Sequence, residues 1–171
     1  MPADVFRFVS RWEVAASPER CWQMLEDALR RGRLPWWPAV RVDPLGVRSP
    51  AVGDDLALEV RSPLGYRLRV RLTLTEVAPP HVIAATSDGD LAGRGRLEIA
   101  RTPAPRVSAA TAPASGAPAS DLVWTWEVAV RRPWMRALSP VLRPLYVLAH
   151  REVMRRGERG FARALAAAVE G

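Results

Sequence analysis

The stretch Gly65-Tyr66-Arg67-Leu68-Arg69-Val70-Arg71-Leu72-Thr73-Leu74-Thr75-Glu76-Val77 alternates between apolar and polar residues. Its apolar members fall on one side of an extended chain, and its arginines and threonines fall on the other. Because successive side chains of a β-strand point to opposite faces, this pattern predicts a strand with one buried face and one solvated face.

The same alternation appears along much of the chain and predicts a sheet. Asp88-Gly89-Asp90 is a strong turn signal, and Pro79-Pro80 closes the strand of residues 65–77. Short connections of this kind favour antiparallel pairing, so we expect about seven strands in one antiparallel sheet. Besides 65–77, the strands are predicted at 5–14, 39–47, 54–61, 81–87, 94–100 and 121–130. Leu56 and Leu58 of the 54–61 and 65–77 hairpin are expected to face inward with Leu68 and Val70.

Two segments have helical signals. Ser17-Pro18-Glu19 combines an N-cap, a first-turn proline and a first-turn acid, and predicts a helix that runs to about Arg30. At the other end, 145–169 has the period of an amphipathic helix, with Gly157 and Gly160 on its inner face. Residues 134–138 are expected to form a short turn, broken near Pro140 and Pro144.

Residues 102–120 are almost entirely Pro, Ala, Ser and Thr, and lack the apolar side chains needed to pack. Because a strand pattern resumes after them, we interpret them as a loop within a single domain that covers residues 1–171. A chain of this length is long enough to bury a core of its own.

The composition of the chain narrows the range of functions that it could have. The net charge of +7 comes wholly from arginine, because the sequence contains no lysine. Cys21 is the only cysteine and His81 and His150 are the only histidines, so we expect no disulfide, no metal site and no cofactor. No run of about 18 apolar residues and no signal-peptide layout is present, which makes a cytoplasmic location the expectation.

The order of these elements resembles the helix-grip fold of the START and polyketide-cyclase-like superfamily, also called SRPBCC. The segments that carry the likeness are Phe8-Val9-Ser10-Arg11-Trp12-Glu13-Val14, Ser17-Pro18-Glu19-Arg20-Cys21-Trp22, Trp36-Trp37-Pro38, Gly89-Asp90-Leu91-Ala92-Gly93 and His150-Arg151-Glu152-Val153-Met154-Arg155-Arg156-Gly157. The resemblance implies an α+β fold in which a curved antiparallel sheet wraps a long C-terminal helix, with two short helices after the first strand. It also implies a deep cavity between the sheet and that helix, where members of the superfamily bind lipids, sterols, polyketides or quinones.

Ten residues are candidates for contact with such a ligand. His150 is the most informative, because an ionisable ring is unusual on an apolar helix face, where it either has a protein partner or contacts a ligand. Trp124 and Trp126 are either core or cavity wall, and Trp36 and Trp37 are either an apolar cap or part of the entrance. The full set is Ser10, Trp12, Trp36, Trp37, Tyr66, Trp124, Trp126, Tyr146, His150 and Met154.

Three functions follow from these candidates. The first is a protein that binds a small apolar or amphipathic molecule, without catalysis. The second is an enzyme of the cyclase, aromatase or dehydratase type, in which His150 and a tyrosine would move protons, although no catalytic residue is assigned. The third is a carrier of lipid or quinone that makes weak contact with an anionic membrane through its arginines. Nucleic acid is not an expected partner, because the arginines fall on several faces and the aromatic residues point inward.

Overall fold

The computed structural model describes residues 5–46, 48–102, 118–131 and 133–168, with only the helical backbone over 133–143. The strands are β1 (Val5–Val14), β2 (Val40–Val42), β3 (Asp55–Arg61), β4 (Arg67–Ala78), β5 (Val82–Gly89), β6 (Leu91–Arg101) and β7 (Ser120–Val130). The helices are α1 (Pro18–Arg31) and α2 (Pro133–Ala167).

All seven strands form one antiparallel sheet in the order β1-β7-β6-β5-β4-β3-β2. The sheet curls into a half-barrel, and α2 lies against β1 on its concave side. The α+β helix-grip expectation is therefore confirmed. The first and last strands are paired along their whole length, with Val5 opposite Ala129 and Val14 opposite Ser120.

The alternation read from the sequence matches the faces of the strands. Phe6, Trp12 and Val14 of β1 are buried, whereas Val5 and Val9, on the opposite face of the strand, are exposed. The predicted hairpin of β3 and β4 is also confirmed, with Leu58 opposite Val70, and the leucines and valines of its inner face line the space under α2. In β4 the alternation breaks at a bulge between Leu74 and Glu76, so that Val77 packs inward.

Helix α1 begins and ends where its capping residues predict. The Ser17 hydroxyl accepts a hydrogen bond from the Arg20 N–H at 3.4 Å, and Pro18 occupies the first turn. Gly32 ends the helix in the left-handed conformation, with φ of 64°, where a side chain would also meet Pro44 at 2.8 Å.

The expectation of two short helices after the first strand is wrong, because only α1 is helical there. The segment that follows forms turns, closed by bonds from the Trp37 N–H to the Leu34 carbonyl and from the Val40 N–H to the Trp37 carbonyl. Pro35 and Pro38 lack the N–H groups that a second helix would require.

Two boundaries also differ from the prediction. β2 is three residues long rather than spanning 39–47, because after Pro44 the N–H groups of Leu45 and Gly46 bond to the last carbonyls of α1 instead of to β3. The break near Pro140 and Pro144 is absent, and α2 is one helix of 35 residues. A proline inside a helix removes one backbone hydrogen bond and crowds the preceding turn, yet the backbone stays helical through both prolines.

The predicted 102–120 loop lies mostly outside the described residues, which stop at Thr102 and resume at Pro118. At its end, Ser120 belongs to β7 rather than to the loop. Ser120 is fully buried, and its hydroxyl donates to the Ala16 carbonyl at 2.7 Å. Within the described residues, no helix has the length and apolar character needed to cross a membrane.

Candidate functional site

A cavity of about 270 Å³ lies between the concave face of the sheet and α2. Its far wall is aliphatic and comes from the inner faces of β2 to β5, including Leu56, Val70 and Leu74. Its near wall comes from β1, β7 and α2 and carries Phe6, Phe8, Trp124, Trp126, Tyr146 and His150. Such a space, mostly apolar with a few polar groups, is typical of sites for small organic molecules.

Along the near wall, α2 runs parallel to β1, so successive turns of the helix contact successive inward residues of the strand. Tyr146 contacts Phe6 with ring centroids 6.2 Å apart, and one turn later His150 stacks on Phe8 at 4.2 Å. Farther along the helix, Phe161 contacts Trp12 at 5.9 Å. The polar groups of α2 are therefore confined to one half of the cavity wall.

His150 is held inside this wall with a weak protein partner. Its Nε2 lies 3.4 Å from the Ser10 Oγ, at the long limit of a hydrogen bond. Burial lowers the pKa of the His150 imidazole to about 4, so the ring is neutral at pH 7. A neutral imidazole can donate a hydrogen bond from one nitrogen and accept one at the other.

Tyr146 and Tyr66 meet at the same end of the cavity, with ring centroids 6.3 Å apart and the rings nearly perpendicular. Tyr146 is buried, and its hydroxyl has no hydrogen-bond partner within the described residues. Burial, and to a smaller extent the neighbouring Tyr66, raises the pKa of the Tyr146 hydroxyl. This hydroxyl therefore stays protonated and is able to donate.

The indole N–H groups of two tryptophans are likewise buried without a partner in the part of the chain that the structure describes, those of Trp12 and Trp124. Trp124 lines the cavity and sits directly opposite Ser10 in the pairing of β1 with β7, which places it at the level of His150. An indole N–H can only donate, so an acceptor atom at this level of the cavity would give the Trp124 N–H a hydrogen-bond partner.

Trp36 and Trp37 close the other end of the cavity and are held there by α2. The indole N–H of Trp37 donates to the Val153 carbonyl at 2.9 Å, and Trp36 contacts Phe161 with ring centroids 4.8 Å apart. The two glycines of α2 permit this approach: a Cβ on Gly157 would meet Trp37 at 2.6 Å, and one on Gly160 would meet the Trp36 carbonyl at 1.8 Å. Close packing is thus the reason for both glycines.

Most of the residues predicted from sequence lie together on this cavity. Eight of them line it: Trp36, Trp37, Tyr66, Trp124, Trp126, Tyr146, His150 and Met154. The remaining two lie behind the lining. Ser10 contacts His150, and Trp12 is 1% exposed within an aromatic cluster formed with Trp37, Trp124 and Phe161.

Sequence reasoning missed two groups of lining residues. Phe6 and Phe8 share the predicted inner face of β1 with Ser10 and Trp12, so the alternation itself could have identified them. Trp22 and Glu26 of α1 could not be found in this way, because a helix face does not reveal which element it covers. The Glu26 carboxylate accepts hydrogen bonds from the indole N–H of Trp22, at 2.9 Å, and from the Ser49 hydroxyl.

The residues that the structure describes show neither a cluster of metal-ligand side chains nor a reactive thiol at this site. Within the described residues, no three histidine, cysteine, aspartate or glutamate side chains group together as metal ligands would. Cys21 is buried and outside the cavity lining, and burial raises the pKa of its thiol to about 11. A thiol with so high a pKa is a poor nucleophile at neutral pH.

No protein-family model and no curated protein matches this sequence. Solved structures do match the fold. Protein TTHA0849 from Thermus thermophilus has a TM-score of 0.67 at 16% identity, covering 95% of this chain and 99% of its own. The Zhui aromatase/cyclase from Streptomyces sp. R1128 also has a TM-score of 0.67, at 15% identity, with 96% of each chain covered.

A third match is the di-domain ARO/CYC BexL from the BE-7585A biosynthetic pathway, with a TM-score of 0.58 at 15% identity. This chain covers 50% of BexL, with 94% of its own length aligned. Likeness at such identities shows the fold and leaves the activity open. The sheet order, the position of α2 and these structures together show that the protein has an α+β helix-grip fold.

Proposed function

We propose that this protein binds a small, mostly apolar molecule that carries at least one oxygen atom, in the cavity between the sheet and α2. The observation that supports this most is the combination of an apolar cavity of about 270 Å³ with two donors in its wall, the Trp124 N–H and the Tyr146 hydroxyl, that have no partner among the described residues. A ligand oxygen beside either group would satisfy a buried donor.

The energetics favour such a ligand over a pure hydrocarbon. Apolar surface contributes roughly 25 cal/mol per Å² removed from water, so a ligand burying about 200 Å² gains on the order of 5 kcal/mol before the cost of association. A buried donor without a partner costs about 1–3 kcal/mol, part of which a ligand acceptor recovers. Apolar burial would therefore supply the affinity, and the polar groups the orientation.

A second candidate is an enzyme of the aromatase or cyclase type. Its support is the similarity to the Zhui aromatase/cyclase and to the di-domain ARO/CYC BexL. The low pKa of His150 weighs against it, because an efficient general base has a pKa near the working pH, whereas that of His150 is about 4. In these surroundings His150 is better suited to hydrogen bonding than to proton removal.

The binding proposal is tested by titration with prodan, a neutral naphthalene that carries a ketone and whose emission reports apolar surroundings. We expect saturable binding that also quenches tryptophan emission, since several tryptophans line the cavity. His150→Ala or Trp124→Phe should weaken binding about two- to tenfold, which corresponds to the roughly 0.5–1.5 kcal/mol of one hydrogen bond.

The matched control is His81→Ala, because His81 is exposed, bonds to the Ile99 carbonyl at 2.9 Å and does not line the cavity. It should bind prodan like the parent. Folded His150 and Trp124 variants that also bind like the parent, or a parent that binds no probe at all, would exclude this cavity as the site.

The enzyme candidate makes a separate prediction. Incubation with a thioester of a linear poly-β-ketone should change its rate of cyclisation or the pattern of cyclised products, read by liquid chromatography and mass spectrometry. His150→Phe should then abolish turnover while prodan binding is largely kept. Identical rates and products with and without the protein would leave binding as the function.

A further inference from the structure

The charges that surround the cavity differ from those of the chain as a whole. The sequence has a net charge of +7. Among the described residues that line the cavity, however, only Glu26 and Arg96 carry a formal charge at pH 7. The position of these two side chains therefore decides which ionic form of a ligand the cavity accepts.

Arg96 offers no positive charge to the interior of the cavity. It lies between Gly95 and Leu97, whose burial places them on the concave side, so its own side chain points to the convex side of the sheet. There its guanidinium contacts the carboxylates of Glu76 and Glu98. A ligand inside the cavity is thus separated from this cation by the sheet itself.

Glu26 brings a negative charge to the wall that α1 forms. Two donors hold its carboxylate in place, the indole N–H of Trp22 at 2.9 Å and the Ser49 hydroxyl. Because Trp22 also lines the cavity, this carboxylate stays beside the cavity. Like charges repel more strongly in surroundings of low polarity than in water, so Glu26 disfavours an anionic ligand.

The groups that remain for a ligand are neutral. The Trp124 N–H and the Tyr146 hydroxyl are donors without a partner within the described residues. His150, between Phe8 and Ser10, is uncharged at pH 7 because burial lowers the pKa of its imidazole to about 4. Neutral donors on an apolar wall can orient a carbonyl, but they do not compensate the charge of a buried ion.

We propose that the cavity accepts an uncharged carbonyl compound, such as a ketone or an ester, and rejects the carboxylate and the amine of the same size. This selectivity rests on the binding function proposed above and adds the ionic state of the ligand. The carbonyl oxygen accepts from Trp124 or Tyr146, and the apolar remainder lies against the far wall. A carboxylate enters only after it takes up a proton, since no cation of the described residues faces the cavity.

The pKa of the ligand sets the size of the effect. An aliphatic carboxylic acid has a pKa near that of a glutamate side chain, about 4.3, so roughly one molecule in 500 is uncharged at pH 7. If only this fraction binds, the acid binds at least about a hundredfold more weakly than a ketone of equal size. Its apparent affinity also falls about tenfold for each unit of pH above 6.

The test compares undecan-2-one, decanoic acid and undecan-2-amine, which share a nonyl chain and have equal numbers of non-hydrogen atoms. Each compound displaces prodan from the full chain at pH 6, 7 and 8, a range in which His150 stays neutral. We expect the ketone to bind equally at all three pH values, and the acid to bind about tenfold more tightly with each unit that the pH is lowered. The amine should be weaker than the ketone, because the Glu26 carboxylate is already engaged by two donors.

Glu26→Gln measures the contribution of the negative charge on the wall. It should strengthen decanoate binding severalfold at pH 7, because a repulsion is removed, and change ketone binding less than twofold. The matched control is Asp27→Asn on the same helix. The Asp27 side chain is 53% exposed and does not line the cavity, so its loss of charge should leave both ligands unchanged.

Three results would overturn the selectivity. They are equal affinity for the ketone and the acid, acid binding that does not depend on pH, and tighter binding of the amine than of the ketone, which would make Glu26 the recognition group. In each of these cases the cavity would still be a binding site. Failure of prodan and of all three compounds to bind would instead overturn the binding function itself.

Discussion

At the scale of single residues, His150 is the group whose surroundings change its chemistry most. It lies between the Phe8 ring and the Ser10 hydroxyl, and among the residues that the structure describes no carboxylate contacts it. Burial without a negative partner disfavours the imidazolium. The folded protein therefore keeps this histidine neutral.

This neutrality makes stability depend on pH. The pKa of His150 is about 4 when folded and about 6.5 when unfolded, so between these values the unfolded chain binds the extra proton. His150 should thus lower the free energy of unfolding as the pH falls from 6.5 to 4, by up to ~3 kcal/mol.

Urea titrations of the parent and of His150→Gln across this range measure the effect. Carboxylates with lowered pKa, such as Asp54 beside Arg48, weaken both proteins alike as the pH falls, so the difference between the two curves isolates the histidine. Parallel curves would mean that His150 is hydrated or charged in the folded state.

Cys21 gives a second prediction at this scale. The thiol is fully buried with a pKa of about 11, and only the thiolate reacts quickly with alkylating reagents. Iodoacetamide at pH 8 should therefore leave the native protein unmodified for hours and label it within minutes in urea, as intact mass will show. Fast labelling of the native protein would contradict the placement of α1.

At the scale of elements, the contact between α2 and the Trp36-Trp37 segment determines how closely the helix packs against the rest of the fold. Glycine inside a helix costs roughly 1 kcal/mol relative to alanine, so two glycines on one face need a packing reason. That reason is the closeness of the Trp36 backbone to Gly160 and of the Trp37 ring to Gly157.

Gly160→Ala should accordingly destabilise the protein, although alanine is the better helix former. The new Cβ would lie 1.8 Å from the Trp36 carbonyl oxygen, a backbone atom that cannot rotate away. We expect a loss of about 1–3 kcal/mol, as for overpacked cores, measured by thermal or urea unfolding.

Ala166→Gly, at an exposed position of the same helix, is the comparison. Because Ala166 lies in the last turn of α2, the change should cost less than about 1 kcal/mol from helix propensity alone. A Gly160→Ala protein as stable as the parent would show that α2 sits farther from this segment.

At the scale of the whole molecule, one sheet presents two surfaces of different chemistry. Its concave side forms an apolar cavity under α2, and its convex side carries exposed arginines such as Arg67 and Arg69. Because each strand sends alternate side chains to the two faces, the arginines of β4 and its cavity-lining leucines come from the same stretch of sequence.

Ligand binding in the cavity should therefore stabilise the molecule independently of the arginines on the convex face. A ligand present at 100 times its dissociation constant adds about 2.7 kcal/mol, which raises the melting temperature of a domain of this size by roughly 5–10 °C. Prodan should produce this shift in the parent and equally in R67Q/R69Q/R71Q. A shift that disappears in this triple variant would place the probe on the convex face.

The sequence by itself determined the faces of the strands and the ends of α1. Alternation in β1, β4 and β7 identifies their inward residues, because a strand has a period of two whatever it packs against. Ser17 and Gly32 are equally local signals, since caps act on the backbone of their own helix. The helix-grip arrangement then followed from the order of elements and the resemblance quoted with them.

Only the tertiary structure decided which inward residues border the cavity. Trp12 and Trp124 are both inward-facing, yet Trp12 is enclosed by other rings whereas Trp124 lines the cavity. The length of β2 was also decided at this level, because Pro44 directs the chain toward the carbonyls at the end of α1. A side chain's direction is a property of its own strand, but a cavity exists where side chains from distant elements fail to meet, and that depends on how those elements are placed in space.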